Sequence, residues 1–191
     1  MASANLHELF VDEIRDLYHA EKQLTRALPR LAKNATSEEL RTALEEHLEE
    51  TKAQVERLER VFELLDERPR GKHCAGMAGI IEEAGDLIES EDRGPVLDAG
   101  LVAGAQRAEH YEMAAYGSVI AWANAMGHTE IAELLEETLE EEKTADRKLS
   151  AIATDGVNEA ANLGMTEEEM TGGNGRARRS RSANGRAAAR H

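Results

Sequence analysis

Four stretches of this 191-residue chain carry an apolar seam at alternating steps of four and three, and in three of them a carboxylate interrupts it. The first seam reads Phe10, Ile14, Leu17, Glu21, Leu24, Leu28, Leu31. A second reads Leu40, Leu44, Leu48, Thr51, Val55, Leu58, Phe62, Leu65. A third reads Leu101, Ala105, Ala108, Glu112, Ala115, Val119, Trp122, Met126, and the last Leu135, Leu139, Glu142, Asp146, Leu149. That spacing sets each series on one helical face, the one that packs inward. An acid buried alone costs several kcal/mol or more, so it takes up a proton or finds a cation. Acids from several helices meeting at one level of a bundle predict a metal site.

The spacing predicts helices over 5–34, 37–67, 76–91, 95–126 and 130–153. Pro29 predicts a kink or late break in the first. Thr36, Ser37 and Glu39 read as an N-cap with a capping box, and Arg68-Pro69-Arg70-Gly71 as a turn. Pro95 suits a first helical turn, Gly127 a C-terminal stop, and Thr129 an N-cap. Adding 91 to residues 19–58 gives 110–149, and twelve of these forty pairs are identical, among them Glu21/Glu112, Leu44/Leu135, Glu50/Glu141 and Leu58/Leu149. The repeat aligns the first helix with the fourth and the second with the fifth. Two such hairpins joined by a long connection make an all-α fold: a four-helix bundle with a crossover carrying a short extra helix. Aromatic residues are 3% of the chain, so its core is aliphatic.

Residues 1–160 are expected to form this bundle and 161–191 a flexible Arg-rich tail. A short helical piece around Thr166–Met170 is one further expectation. The last acid is Glu169, and six arginines follow it (176, 178, 179, 181, 186 and 190). They leave 17 Lys and Arg against 38 Asp and Glu upstream, a net charge of −21 for residues 1–170. Such a body repels DNA and attracts cations, whereas the basic tail suits nucleic acid or an acidic partner. No apolar run approaches the roughly 20 residues needed to cross a bilayer. The lone Cys74 reads as a free thiol in a reducing cytoplasm.

The candidate metal ligands are Glu21, Glu50, Gln54, Glu109, Glu112, Glu142 and Asp146. Glu50 lies one step off its seam, with His47 before it and Gln54 after it on the same flank. Glu109 and Glu112 are one turn apart, as are Glu142 and Asp146. The seam favours Glu142 as the fifth helix's ligand and the repeat favours Glu141; a ligand must point inward, so Glu142 is preferred. His47 reads as an orienting group or a ligand, and Tyr116 as core or a support to the ligands. Four glutamates neutralise two divalent cations, and carboxylate with imidazole suits Fe or Mn.

The strings Asp16-Leu-Tyr-His-Ala-Glu-Lys-Gln-Leu24, His47-Leu-Glu-Glu-Thr51, Ala108-Glu-His-Tyr-Glu112 and Glu136-Glu-Thr-Leu-Glu-Glu-Glu-Lys143 resemble the YciF family of ferritin-like stress proteins. The resemblance covers residues 5–160. It implies a cytoplasmic ferritin-like bundle, a dinuclear Fe or Mn site and a homodimer. It also implies a role in the bacterial stress response, with peroxidase- or ferroxidase-like chemistry fed by an external electron donor. Glu21, Glu50, Glu109, Glu112 and Glu142 match the pattern of rubrerythrin-like relatives. Ala53 and Asp146 stand where that pattern has histidines. Two other expectations remain open: a bundle with a weak or vacant site that serves as a structural or interaction protein, and a mini-ferritin-like protector of iron or DNA.

Overall fold

The computed structural model describes residues 4–164. The tail arginines and the piece around Thr166–Met170 lie outside the described residues. Among those described, every regular element is helical: α1 Leu6–Asn34, α2 Glu38–Leu64, α3 Ala75–Ser90, α4 Pro95–Met126, α5 Thr129–Ile152 and α6 Asn158–Leu163, with a π-helical turn Ala153–Val157 before α6. The four long helices close into a ring: α1 lies on α2, α2 on α5, α5 on α4 and α4 on α1. The crossover helix α3 covers the groove between α1 and α4. This is the four-helix bundle with a crossover helix that the seams and repeat predict.

Local chemistry sets the helix ends. Asn5 caps α1 by accepting from the Glu8 N–H at 2.9 Å. Pro95 opens α4, and Gly127 closes it at φ 78°, where a β-carbon would be strained. Exposed Pro29 does not end α1, which continues to Asn34. α2 stops at Leu64, three residues short of expectation. His128, not Thr129, holds the N-cap position of α5.

The α1–α2 turn departs most from its sequence reading. Ser37 does cap α2, accepting from Leu40 N–H at 3.3 Å, but the reciprocal bond of a capping box is replaced by an acid from another helix. Fully buried Asp98 of α4 accepts from Thr36 N–H at 2.8 Å, Thr36 Oγ1 at 2.6 Å and Ser37 N–H at 2.7 Å.

The interior is two apolar cores with a polar layer between them. One holds Leu24, Leu28, Leu44, Leu101, Ala108 and Leu149. The other holds Phe10, Leu17, Leu58, Phe62, Tyr116 and Leu135. Glu21, Glu112 and Glu142 each fall between a residue of one core and a residue of the other, as the interrupted seams require. The seams drift, however, because 3.6 residues per turn do not match a 3.5 repeat. The second half of α4 buries Tyr116, Ile120 and Ala123, while Ala115, Trp122 and Met126 are only partly covered.

Candidate metal centre

The middle layer receives a side chain from every long helix. α1 supplies Glu21, α2 supplies His47 and Gln54, α4 supplies Glu109 and Glu112, and α5 supplies Glu142. Glu21, Gln54, Glu112 and Glu142 are 0% exposed, Glu109 2% and His47 7%. One donor atom each from His47, Glu109, Glu112 and Glu142 lies within 4.8 Å of the others. His47 Nε2 is 3.5 Å from Glu109 and 3.9 Å from Glu142.

Two neutral side chains brace the acids. Tyr116 donates its hydroxyl to Glu21 Oε1 at 2.5 Å. Gln54 Nε2 donates to Glu142 Oε1 at 2.5 Å and to Glu141 at 3.1 Å. Many oxygens nevertheless lack any partner: one each on Glu21, Gln54, Glu109 and Glu142, and both on Glu112. Among the described residues no Lys or Arg pairs with these four carboxylates; only His47 brings positive charge. Oxygens buried without donors cost roughly 1–3 kcal/mol each, more when ionised, unless something positive satisfies them.

The titration behaviour follows. Burial, then the Glu142 charge, pushes Glu21 up to about 8, against the opposing Tyr116 hydrogen bond and His47. Burial pushes Glu109 up to about 7. Glu112 goes well above the usual carboxylate range through burial and then repulsion from Glu21, Glu142 and Glu109. Glu142 does so through burial and then the proximity of the Glu109 carboxyl, against His47 and Gln54. Burial opposes the charge on His47, but Glu50, Glu142 and Glu21 outweigh it and raise its pKa. The group therefore holds protons as a substitute for cations. Its oxygen and imidazole donors suit hard and borderline divalent metals, and the buried His/Glu group could hold a metal ion.

Five of the seven sequence candidates meet in this layer: Glu21, Gln54, Glu109, Glu112 and Glu142. Two do not. The side chain of Glu50 is 49% exposed and faces His47 Nδ1 at 3.4 Å, so it bears on the cluster only through that ring. Asp146 is 21% exposed and turns to His110 Nε2 at 3.3 Å and Gln106 Nε2 at 3.2 Å. Each is displaced by helical rotation. At about 100° per residue, Glu50 sits roughly 70° from the buried stripe His47–Thr51–Gln54–Leu58, and Asp146 roughly 50° from Leu135–Thr138–Glu142–Leu149. Glu141 is held outside by Arg57, with both N–H to O distances at 2.9 Å. His47 is the residue the sequence reading left off the ligand set. Its signal is the α2 stripe itself, which buries His47 and Gln54 where the apolar seam favoured Leu48 and Val55.

Two cavities end on the cluster. One, of about 110 Å³, is lined by Glu46, His47, Glu50, Glu109, Thr144 and Lys148 among others and spanned by a Lys148–Glu46 ion pair. The other is apolar and lies beneath α3.

Comparison with known proteins agrees with this architecture. The family described as "Domain of unknown function (DUF892)" matches residues 5–162. The Escherichia coli (strain K12) protein YciF is 44% identical over 162 residues, spanning 84% of this chain and 98% of its own. The crystal structure of that E. coli stress protein aligns with a TM-score of 0.78, covering 82% of this chain and 99% of its own. YcfI from Rhodopseudomonas palustris aligns at a TM-score of 0.75 with 44% identity, covering 78% of this chain and 98% of its own. A Xanthomonas campestris protein at 22% identity and a TM-score of 0.65 shares the fold, over 83% of this chain and 100% of its own. By sequence and by fold, this chain belongs to the YciF family of DUF892 proteins.

Proposed function

We propose that this protein is a dinuclear metal-binding member of the bacterial stress response, holding two iron or manganese ions and acting on dioxygen or peroxide. The unpartnered carboxylate oxygens in a buried layer carry this reading. Four glutamates match the charge of two divalent ions, His47 adds an imidazole, and the Gln54 carbonyl oxygen adds a neutral donor. The missing second-helix histidine, Ala53 in this chain, is offset by His47 on the preceding turn. When bound, such ions supply a redox couple and open positions for a small oxidant. The protein's own part is to orient Glu142 through Gln54 and Glu21 through Tyr116, to exclude bulk water with the two apolar cores, and to hold protons on the acids when metal is absent. The stress role is proposed from the name of the E. coli relative.

Metal analysis of protein prepared under iron-replete and manganese-replete conditions tests this. About two ions per chain are expected, and a Glu21→Ala/Glu112→Ala double variant should hold none. Unchanged metal content in the double variant refutes the reading.

A further inference from the structure

Beneath α3 lies a cavity of about 50 Å³ walled by α1, α3 and α4. Its sides are Leu24, Leu28, Ile80, Ala84, Gly104 and Ala108, and its inner end is His47 with Glu109. Glu109 is 2% exposed, and its Oε2 has no partner. Arg30, more than half exposed and paired with Glu89 of α3 at 3.1 Å, stands at the solvent side. From these observations we infer that the cavity admits a small apolar molecule of the dioxygen class to the edge of the carboxylate layer. The inference rests on the metal-binding reading above and selects between its two oxidants.

Three features carry it. The first is size. Apolar cavities of about 150 Å³ take benzene, so one a third as large excludes rings and acyl chains but accommodates a diatomic. The second is chemistry. Apart from His47, Glu109 and Arg30 the lining is aliphatic, so water and peroxide find few partners along it, whereas an apolar diatomic needs none. The polar cavity on the other side, past Glu46, Glu50 and Lys148, suits peroxide, protons and cations. The third is construction. Interiors are close-packed, yet small residues face one another across this gap. A β-carbon added at Gly104 would meet only Ala84 Cβ, at an ordinary 3.6 Å. The space persists because the lining side chains at these positions are short.

Xenon is the probe, read on the metal-free chain by NMR titration and by crystals under xenon pressure. One site is expected between Ala84 and Ala108, absent in Ala84→Leu and in Gly104→Val. The two variants plug the gap from different helices, and the wild-type measurement depends on neither. Oxidation of the iron(II)-loaded variants by dioxygen should slow at least about tenfold, while oxidation by hydrogen peroxide changes less than about twofold and metal content holds. A wild-type cavity without xenon overturns the inference, as do equal slowing of both oxidants and an unchanged dioxygen rate in a plugged variant. Failure of the metal reading shows separately, as wild-type protein that binds neither iron nor manganese whatever its xenon occupancy.

Discussion

Tyr116 reaches from α4 to Glu21 on α1 and donates its hydroxyl across 2.5 Å to one carboxylate oxygen. The other Glu21 oxygen has no partner. Tyr116→Phe should therefore leave a fully buried acid without its hydroxyl donor. In metal-free protein near pH 8 the variant should lose about 1–3 kcal/mol in urea unfolding. The same bond holds the Glu21 pKa down, so its loss should move that titration further up. Metal should recover part of the lost stability by satisfying the carboxylate. Equal urea midpoints for wild type and variant would show that the bond contributes nothing.

Stability of the metal-free chain should fall as pH rises. Burial lifts Glu21 from the ordinary 4.5 to about 8 and Glu109 to about 7 in the folded state, with Glu112 and Glu142 raised as well. Below about pH 4.5 these carboxyls are protonated folded or unfolded, and their contribution is fully present. Between 4.5 and 8 the unfolded chain has released protons that the folded state retains, so stability is lost across that window, on the order of a few kcal/mol. The raised pKa of His47 acts in the same direction. Metal binding displaces those protons, so affinity should climb with pH and the loaded protein should show a flatter or inverted profile. Thermal melts from pH 5 to 8 with and without manganese provide the measurement. Parallel profiles would argue that the acids and the metal do not meet.

What could be read in advance follows the range of each interaction. Glu21 and Glu112 stand out because leucine or alanine lies three or four residues to either side, so local periodicity alone turns them inward. Glu50 and His47 sit on the same stretch of α2, but which one points in depends on a rotation of the buried stripe by less than one residue. Packing against α1 and α5 decides that rotation, and no pattern within α2 contains it. The Glu141/Glu142 ambiguity resolves through Arg57, which holds Glu141 outside from 84 positions away. Asp98 was unreadable for the same reason. In sequence it is a first-turn acid of α4, and its partners lie 61 and 62 positions upstream.

Asp98 makes the α1–α2 turn depend on α4. Its three short hydrogen bonds satisfy two backbone donors and a hydroxyl, all of which would be orphaned by Asp98→Ala. The loss should be about 3–5 kcal/mol in chemical unfolding, with Asp98→Asn intermediate because its amide keeps one acceptor. Asp98 lies about three turns from Glu109 along α4, so the metal content of the folded fraction should be unaffected. Metal loss from a folded Asp98→Ala protein would tie the turn to the centre after all.

Neighbouring glutamates on α5 offer the sharpest comparison. Glu142 is fully buried, takes the Gln54 amide and has a free oxygen facing the cluster, whereas Glu141 is fastened to Arg57. Glu142→Gln and Glu141→Gln exchange the same carboxyl for an amide one residue apart. The first should weaken manganese or iron binding by more than about 100-fold and raise the metal-free melting temperature near pH 8, because a costly buried acid is gone. The second should leave binding within about threefold and cost about 1–3 kcal/mol through the lost Arg57 pair. Calorimetric titration with Mn(II) and melts of the stripped proteins check both. If Glu141→Gln abolished binding and Glu142→Gln did not, the repeat's alignment of Glu50 with Glu141 would mark the ligands, and the buried layer would need another explanation.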